Sequence, residues 1–183
     1  MHTSSENTLE NIRPASWIDP RIEMHASTIH GRGIFATADI KQGETVIIWG
    51  GAFFTPQEIL AGKSVEHSYA MFDEGIYLGH TLEQGNSIDD FMNHSCDPNI
   101  WMLDAVTWAA RRDIHAGEEI TGDCALYWGP EETEPVKWEC HCGSSICRKQ
   151  FTSLDWQSSE LQACYGRHFS NYINTCIDHQ HKK

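Results

Sequence analysis

The 183 residues, 40% hydrophobic and 10% aromatic, hold enough apolar matter for one compact domain with small appendages and too much for a disordered chain. Twenty-six acidic against thirteen basic side chains give a formal charge of −13, which argues against phosphate-driven binding of DNA or RNA and suits a basic partner such as a lysine-rich peptide. No secretory signal or membrane-length apolar run is visible, and seven cysteines make no tidy disulfide framework, so the expectation is a cytoplasmic protein with reduced thiols.

In chain order, the polar stretch 1–16 is expected as a flexible tail, with structure starting near Trp17. Arg21 to Ala26 alternates as a short strand, His30 to Gly33 turns, and Ile34 and Phe35 follow as buried anchors. Glu44 to Trp49 is a β-branched run that stops at Gly50 and Gly51. Thr55, Pro56 and Glu58 form a capping box with proline in the first turn, opening a helix that Gly62 keeps short. Tyr69 to Phe72 and Ile76 to Leu78 read as paired strands around Asp73 to Gly75. Asn99 to Arg111 and Glu118 to Thr121 add further strand. Many short strands and few helices make 17–128 a mainly β body. Residues 129–157 read as a Pro/Glu-rich linker and a cysteine segment. From 158 to 183 the pattern is helical, with Leu161, Tyr165, Phe169, Tyr172, Ile173 and Cys176 on one face and Gly166 interrupting. His179 and His181 read as solvated tail.

Four segments carry chemistry. Cys140, Cys142 and Cys147 place three thiols within eight residues, a density that points to zinc. A tetrahedral ion needs a fourth ligand, and His141, Cys96, Cys124, Cys164 and Cys176 are all candidates that spacing does not separate. Gly31-Arg32-Gly33 lets the backbone come close to a ligand. Asn93-His94-Ser95-Cys96-Asp97-Pro98-Asn99 gathers amide, imidazole, hydroxyl and thiol groups beside apolar flanks, the composition of a site. Gly117 to Cys124 (GEEITGDC) ends a strand after a glycine turn.

In this order, and followed by CxCxxxxC, these segments resemble the SET-domain protein-lysine methyltransferases with a post-SET zinc segment, over about Trp17 to Trp156. The resemblance implies a fold of short curled strands with few short helices, and S-adenosylmethionine as methyl donor. It implies cofactor contacts from Gly31, Arg32, Gly33, Asn93 and His94. It names Cys96 as the fourth zinc ligand beside Cys140, Cys142 and Cys147, and it makes a lysine of a basic protein or peptide the acceptor. By approximate position, Tyr69 and Trp138 would line the pocket.

The family's motif (E/L)-x-T-(Y/F)-D-Y ends on a catalytic tyrosine, whereas this chain reads Glu119-Ile120-Thr121-Gly122-Asp123-Cys124. Cys124 occupies the tyrosine position, and its thiol is a shorter and weaker donor than a phenol. Tyr127, three residues on, is the candidate substitute. Gly122 stands where the lysine channel usually has an aromatic wall, and the expectation is a wider channel. Two readings follow: an active lysine methyltransferase, or a SET pseudoenzyme that binds cofactor or a basic peptide with little turnover.

Overall fold

The computed structural model describes residues 12–129 and 137–182. Thirteen short strands, β1 to β13 in chain order, and three α-helices build the described part. One sheet has the order β1 (Trp17–Ile18), β4 (Thr45–Ile48), β10 (Thr107–Ala110), β9 (Ile100–Met102). A second has the order β2 (Ile22–Ala26), β3 (Arg32–Ala36), β11 (Glu119–Gly122), β8 (Asn93–His94). A third runs β5 (Ala52–Phe54), β7 (Ile76–Thr81), β6 (Ser64–Asp73), and β12 (Lys137–Glu139) pairs with β13 (Gln150–Thr152) as a separate hairpin. No helix among the described residues is long and apolar enough to cross a membrane.

The expected strands are present within a few residues of their predicted bounds. Asn99 to Arg111 is two strands, β9 and β10, joined by a turn in which Asp104 accepts from the Val106 and Thr107 amides. Gly75 takes a left-handed φ of 66° between β6 and β7, where a side chain would be strained. Helix α1 (Pro56–Leu60) starts on the predicted box: the Glu58 amide donates to Thr55 Oγ1 and the Thr55 amide to Glu58 Oε2.

Two expectations change. Residues 12–16 pack on the body: Ile12 lies against a small apolar cluster, Gly51 N donates to Arg13 O, and Ser16 Oγ donates to Asp89 at 2.7 Å. The rest of the predicted tail, 1–11, and most of the predicted linker, 130–136, lie outside the described residues. The C-terminal helices α2 (Ser159–Tyr165) and α3 (Asn171–Gln180) are a wall of the main core, not an appendage. Ser158 and Ser170 cap them, and Gly166 separates them at a left-handed φ of 58°. Tyr165, Phe169, Ile173 and Ile177 are buried with Trp108, Ile47 and Ile100 of the first sheet. His179 lies in the last turn of α3 and His181 hydrogen-bonds Gln162 at 2.9 Å, so neither is loose tail.

A single carboxylate ties these parts together. Asp123, fully buried, follows β11 and accepts the Ala125 amide at 3.0 Å, starting the 3-10 turn Cys124–Leu126. It also takes both terminal nitrogens of Arg148 at 2.8 Å each and the Tyr165 hydroxyl at 2.8 Å. Arg148 leads into the β13 hairpin and Tyr165 ends α2, so this one group holds the cysteine segment and the C-terminal helices to the body. Asp123→Ala leaves the Arg148 charge without its bidentate partner and is expected to cost about 3 kcal/mol. Phe169→Ala, which opens a core cavity, is expected to cost about 3–5 kcal/mol. The midpoint of urea unfolding reads both losses.

Candidate functional site: a cavity beside a four-cysteine cluster

The parallel pair β8–β11 is the frame of the site. Asn93 lies opposite Thr121 and His94 opposite Gly122, and Ser95 N donates to Gly122 O at 2.9 Å. Two segments that are distant in sequence are thus hydrogen-bonded neighbours. Asn99, almost fully buried, extends the pairing by donating to Glu119 O and accepting from Thr121 N.

Asn93 holds the glycine loop. Its Nδ2 lies 2.9 Å from Arg32 O, 3.2 Å from His30 O and 2.7 Å from Glu119 Oε1. A Cβ on Gly33 would stand 2.1 Å from that same Glu119 oxygen, so the second glycine is required by this internal contact. Gly31 instead needs its left-handed φ of 46°, and the space its side chain would fill is open. The loop backbone is therefore held from below and open above. Arg32 places its guanidinium 5.1 Å from the Phe91 ring centre.

The His94 ring is committed inside the protein. Its Nδ1 accepts from Cys124 N at 3.3 Å, so Nε2 carries the proton and faces Cys96 Sγ at 3.4 Å. Burial pushes its pKa down to about 4, against the smaller opposing pull of Asp123, and the ring stays neutral at physiological pH. Phe151 stacks on it at 4.0 Å.

Of the five candidates for a fourth ligand, the fold brings Cys96 to Cys140, Cys142 and Cys147. Their sulfurs all lie within 4.8 Å of one another, with Cys96 and Cys140 at 3.7 Å. Four sulfurs at about 2.3 Å from a tetrahedral zinc would stand about 3.8 Å apart, so the donor set fits that ion. Amides of Arg148 and Lys149 donate to Cys96 and Cys147 at 3.3 and 3.4 Å, the outer contacts that orient thiolate ligands.

Beside this cluster a cavity of about 290 Å³ opens between the sheets. Tyr69, Tyr127, Trp49, Trp128 and Trp138 give it aromatic walls, and His80, Asp89 and Asp90 line it as well. Sequence reasoning reached Tyr69, Tyr127 and Trp138 but missed Trp128 and His80, which follow no motif. Trp128, Trp138 and Phe151 stack in near-parallel planes, with Trp128 and Trp138 at 4.1 Å, so the β12–β13 hairpin closes one side. Gly31, Arg32, Gly33, Asn93 and His94 are not among the lining residues.

Cys124 is buried, with its sulfur 3.7 Å from the Tyr127 hydroxyl. Burial pushes the thiol up to about 12, so it is protonated at neutral pH and is no nucleophile. Burial likewise raises the Tyr127 phenol well above its ordinary value, keeping it a neutral donor. Trp49 and Trp108 hold the Tyr127 ring edge-on at 5.2 and 5.6 Å. The wider channel expected at Gly122 is not found on that face. A Cβ there would meet Met92 Cε at 3.0 Å and Trp108 Cη2 at 3.2 Å, so these two side chains fill the space.

Comparison with known proteins agrees with this arrangement. The SET domain family model matches residues 31–125. The trithorax histone-lysine N-methyltransferase of Drosophila virilis is 33% identical over 137 residues, covering 67% of this chain and 3% of that protein. Human histone-lysine N-methyltransferase 2B is 32% identical over 142 residues, 70% of this chain and 5% of that protein. Dictyostelium discoideum histone-lysine N-methyltransferase set1 is 33% identical over 143 residues, 70% of this chain and 9% of that protein. The chain thus spans less than a tenth of the length of these relatives. The methyltransferase domain of human histone-lysine N-methyltransferase SETMAR superposes with a TM-score of 0.52 at 18% identity, over 70% of this chain and 57% of that one, and shares the fold. With a family model matching more than half of its residues and these relatives at a third identity, the chain belongs to the SET-domain family.

Proposed function

We propose that the chain transfers a methyl group from S-adenosylmethionine to a lysine side chain of a basic protein, with a histone the first candidate from the names of its relatives. The observation that carries this reading is the Tyr127 hydroxyl beside Cys124. It supplies a buried phenol, from the next turn of chain, where the motif has lost its tyrosine. This favours the enzyme over the pseudoenzyme reading.

When bound, S-adenosylmethionine supplies a methyl group on a sulfonium sulfur. The glycine loop, with its carbonyls anchored by Asn93 and its upper face open at Gly31, is the assigned cofactor cradle, together with the Asn93–His94 backbone. The acceptor side is the aromatic cavity. A lysine with pKa near ~10.4 arrives charged and must be neutral to react. Apolar walls of Trp49, Tyr69, Trp128 and Trp138 exclude water and favour loss of that charge. Tyr127 orients the amine through its hydroxyl, and most of the acceleration comes from alignment. Gly122 contributes no extra room, because Met92 and Trp108 fill it. The formal charge of −13 draws a basic substrate towards the protein.

Cys96, Cys140, Cys142 and Cys147 would hold zinc as a structural ion, since four thiolates leave no open position for water. Their shared ion would fix the β12–β13 hairpin, and with it Trp138 and Phe151, against β8. This assignment places the protein in a reducing compartment, the cytoplasm or the nucleus.

Two outcomes are expected. With radiolabelled S-adenosylmethionine and core histones, the natural chain transfers label to lysine, and Tyr127→Phe lowers the rate on the order of 10²-fold. Transfer by Cys124→Tyr alone, with a silent natural chain, would restore the pseudoenzyme reading. Mass spectrometry under native conditions finds one zinc per chain, and a chelator that removes it lowers the melting temperature. Cys96→Ser weakens retention of the metal in the same measurement.

A further inference from the structure

The cavity carries a charge that the methyl-transfer reading leaves unused. Asp89 lines it, is 7% exposed, and is the second residue of the 3-10 turn Ile88–Phe91. Its Oδ2 accepts from Ser16 Oγ at 2.7 Å, whereas its Oδ1 is buried with no partner among the described residues. A buried carboxylate oxygen without a donor is costly unless a ligand supplies one.

The neighbours do not neutralise it. Asp90 is taken up by His80, whose Nδ1 lies 3.2 Å from its Oδ1, and by the Ser87 amide. The hydrogen bond that His80 donates to Asp90 raises the His80 pKa above its ordinary value and outweighs burial. Asp90 is thus engaged by His80 and the Ser87 amide, and Asp89 by Ser16. Among the described residues, no lysine or arginine lines the cavity. Both nitrogens of the His80 ring are engaged within the protein, Nδ1 by Asp90 and Nε2 by Ser16 Oγ at 3.4 Å.

We propose that Asp89 Oδ1 is the docking group for an alkylammonium, the charged side chain of the incoming lysine, inside the aromatic cavity. The chemistry matches in two ways. An ammonium donates the hydrogen bond that Oδ1 lacks, and Trp and Tyr faces attract the same cation while packing its methylene stem. An acetylated lysine, with no charge to offer, is excluded. This assignment rests on reading the cavity as the acceptor side, but its test requires no turnover.

The full chain is titrated with n-butylammonium and with n-butanol, of similar size and no charge, following tryptophan fluorescence. The natural chain is expected to bind the ammonium about tenfold or more tightly than the alcohol. Asp89→Asn, with thermal unfolding recorded to show that it folds, is expected to bind the two equally. Ser16→Ala keeps the carboxylate and so keeps the preference. Equal affinity of the two probes for the natural chain overturns the proposal whatever the variants do, as does a preference that survives in folded Asp89→Asn. Because binding is read directly, loss of the ammonium preference leaves methyl transfer standing, and absence of methyl transfer leaves the ammonium site standing.

Discussion

The architecture depends on one buried carboxylate. Asp123 has no solvent exposure and accepts from Arg148, Tyr165 and the Ala125 amide. An ion that far from water is tolerable only when its lone pairs are filled, and here three different parts of the chain fill them. The cysteine hairpin, the C-terminal helices and the turn bearing Cys124 therefore meet at one group. Arg148 extends the network to Asp155 at 3.1 Å, at the entrance to α2. His94, against the turn on one side and Cys96 on the other, is a second link, between the thiol cluster and the Cys124 turn.

Around that anchor the two departures from the family's motif are each met by a residue from elsewhere. The place of an aromatic at position 122 is taken by Met92, one residue before β8, and by Trp108 of β10. A flexible thioether and an indole fill the volume that glycine leaves. Beside position 124 stands the phenol of Tyr127, held edge-on by Trp49 and Trp108. Trp108 thus packs at both positions and is itself fully buried in the core. Close packing makes such exchange natural, because neighbouring side chains take up any volume that one position gives away.

The cavity joins the two themes. Its aromatic walls come from the strand–turn segments after β4 and β11, from β6 and from the β12–β13 hairpin, while its acidic side comes from the turn before β8. The hairpin is held there by the four cysteines, the Asp123–Arg148 pair and the stacking of Trp138 and Phe151. Order in the cysteine segment and the shape of the cavity are consequently linked.

Much was legible in the sequence alone. β-Branched runs, the Thr55–Glu58 box, Gly75 and Gly166 mark elements through local rules, and each of these appears in place. The order of the glycine loop, NHSCDPN, GEEIT and CxCxxxxC identified the family, since motif order survives without coordinates. The resemblance also named Cys96 among five possible ligands and Tyr127 near Cys124, and the fold brings each to its partner. Tertiary structure alone decided what depends on distance through space: Met92 in the room left by Gly122, and the unpartnered oxygen of Asp89. The reason is physical. Caps, turns and strand patterns are set by neighbours within a few residues, whereas a sulfur cluster, a filled volume or an unpaired charge exists only once segments dozens of residues apart are packed against one another.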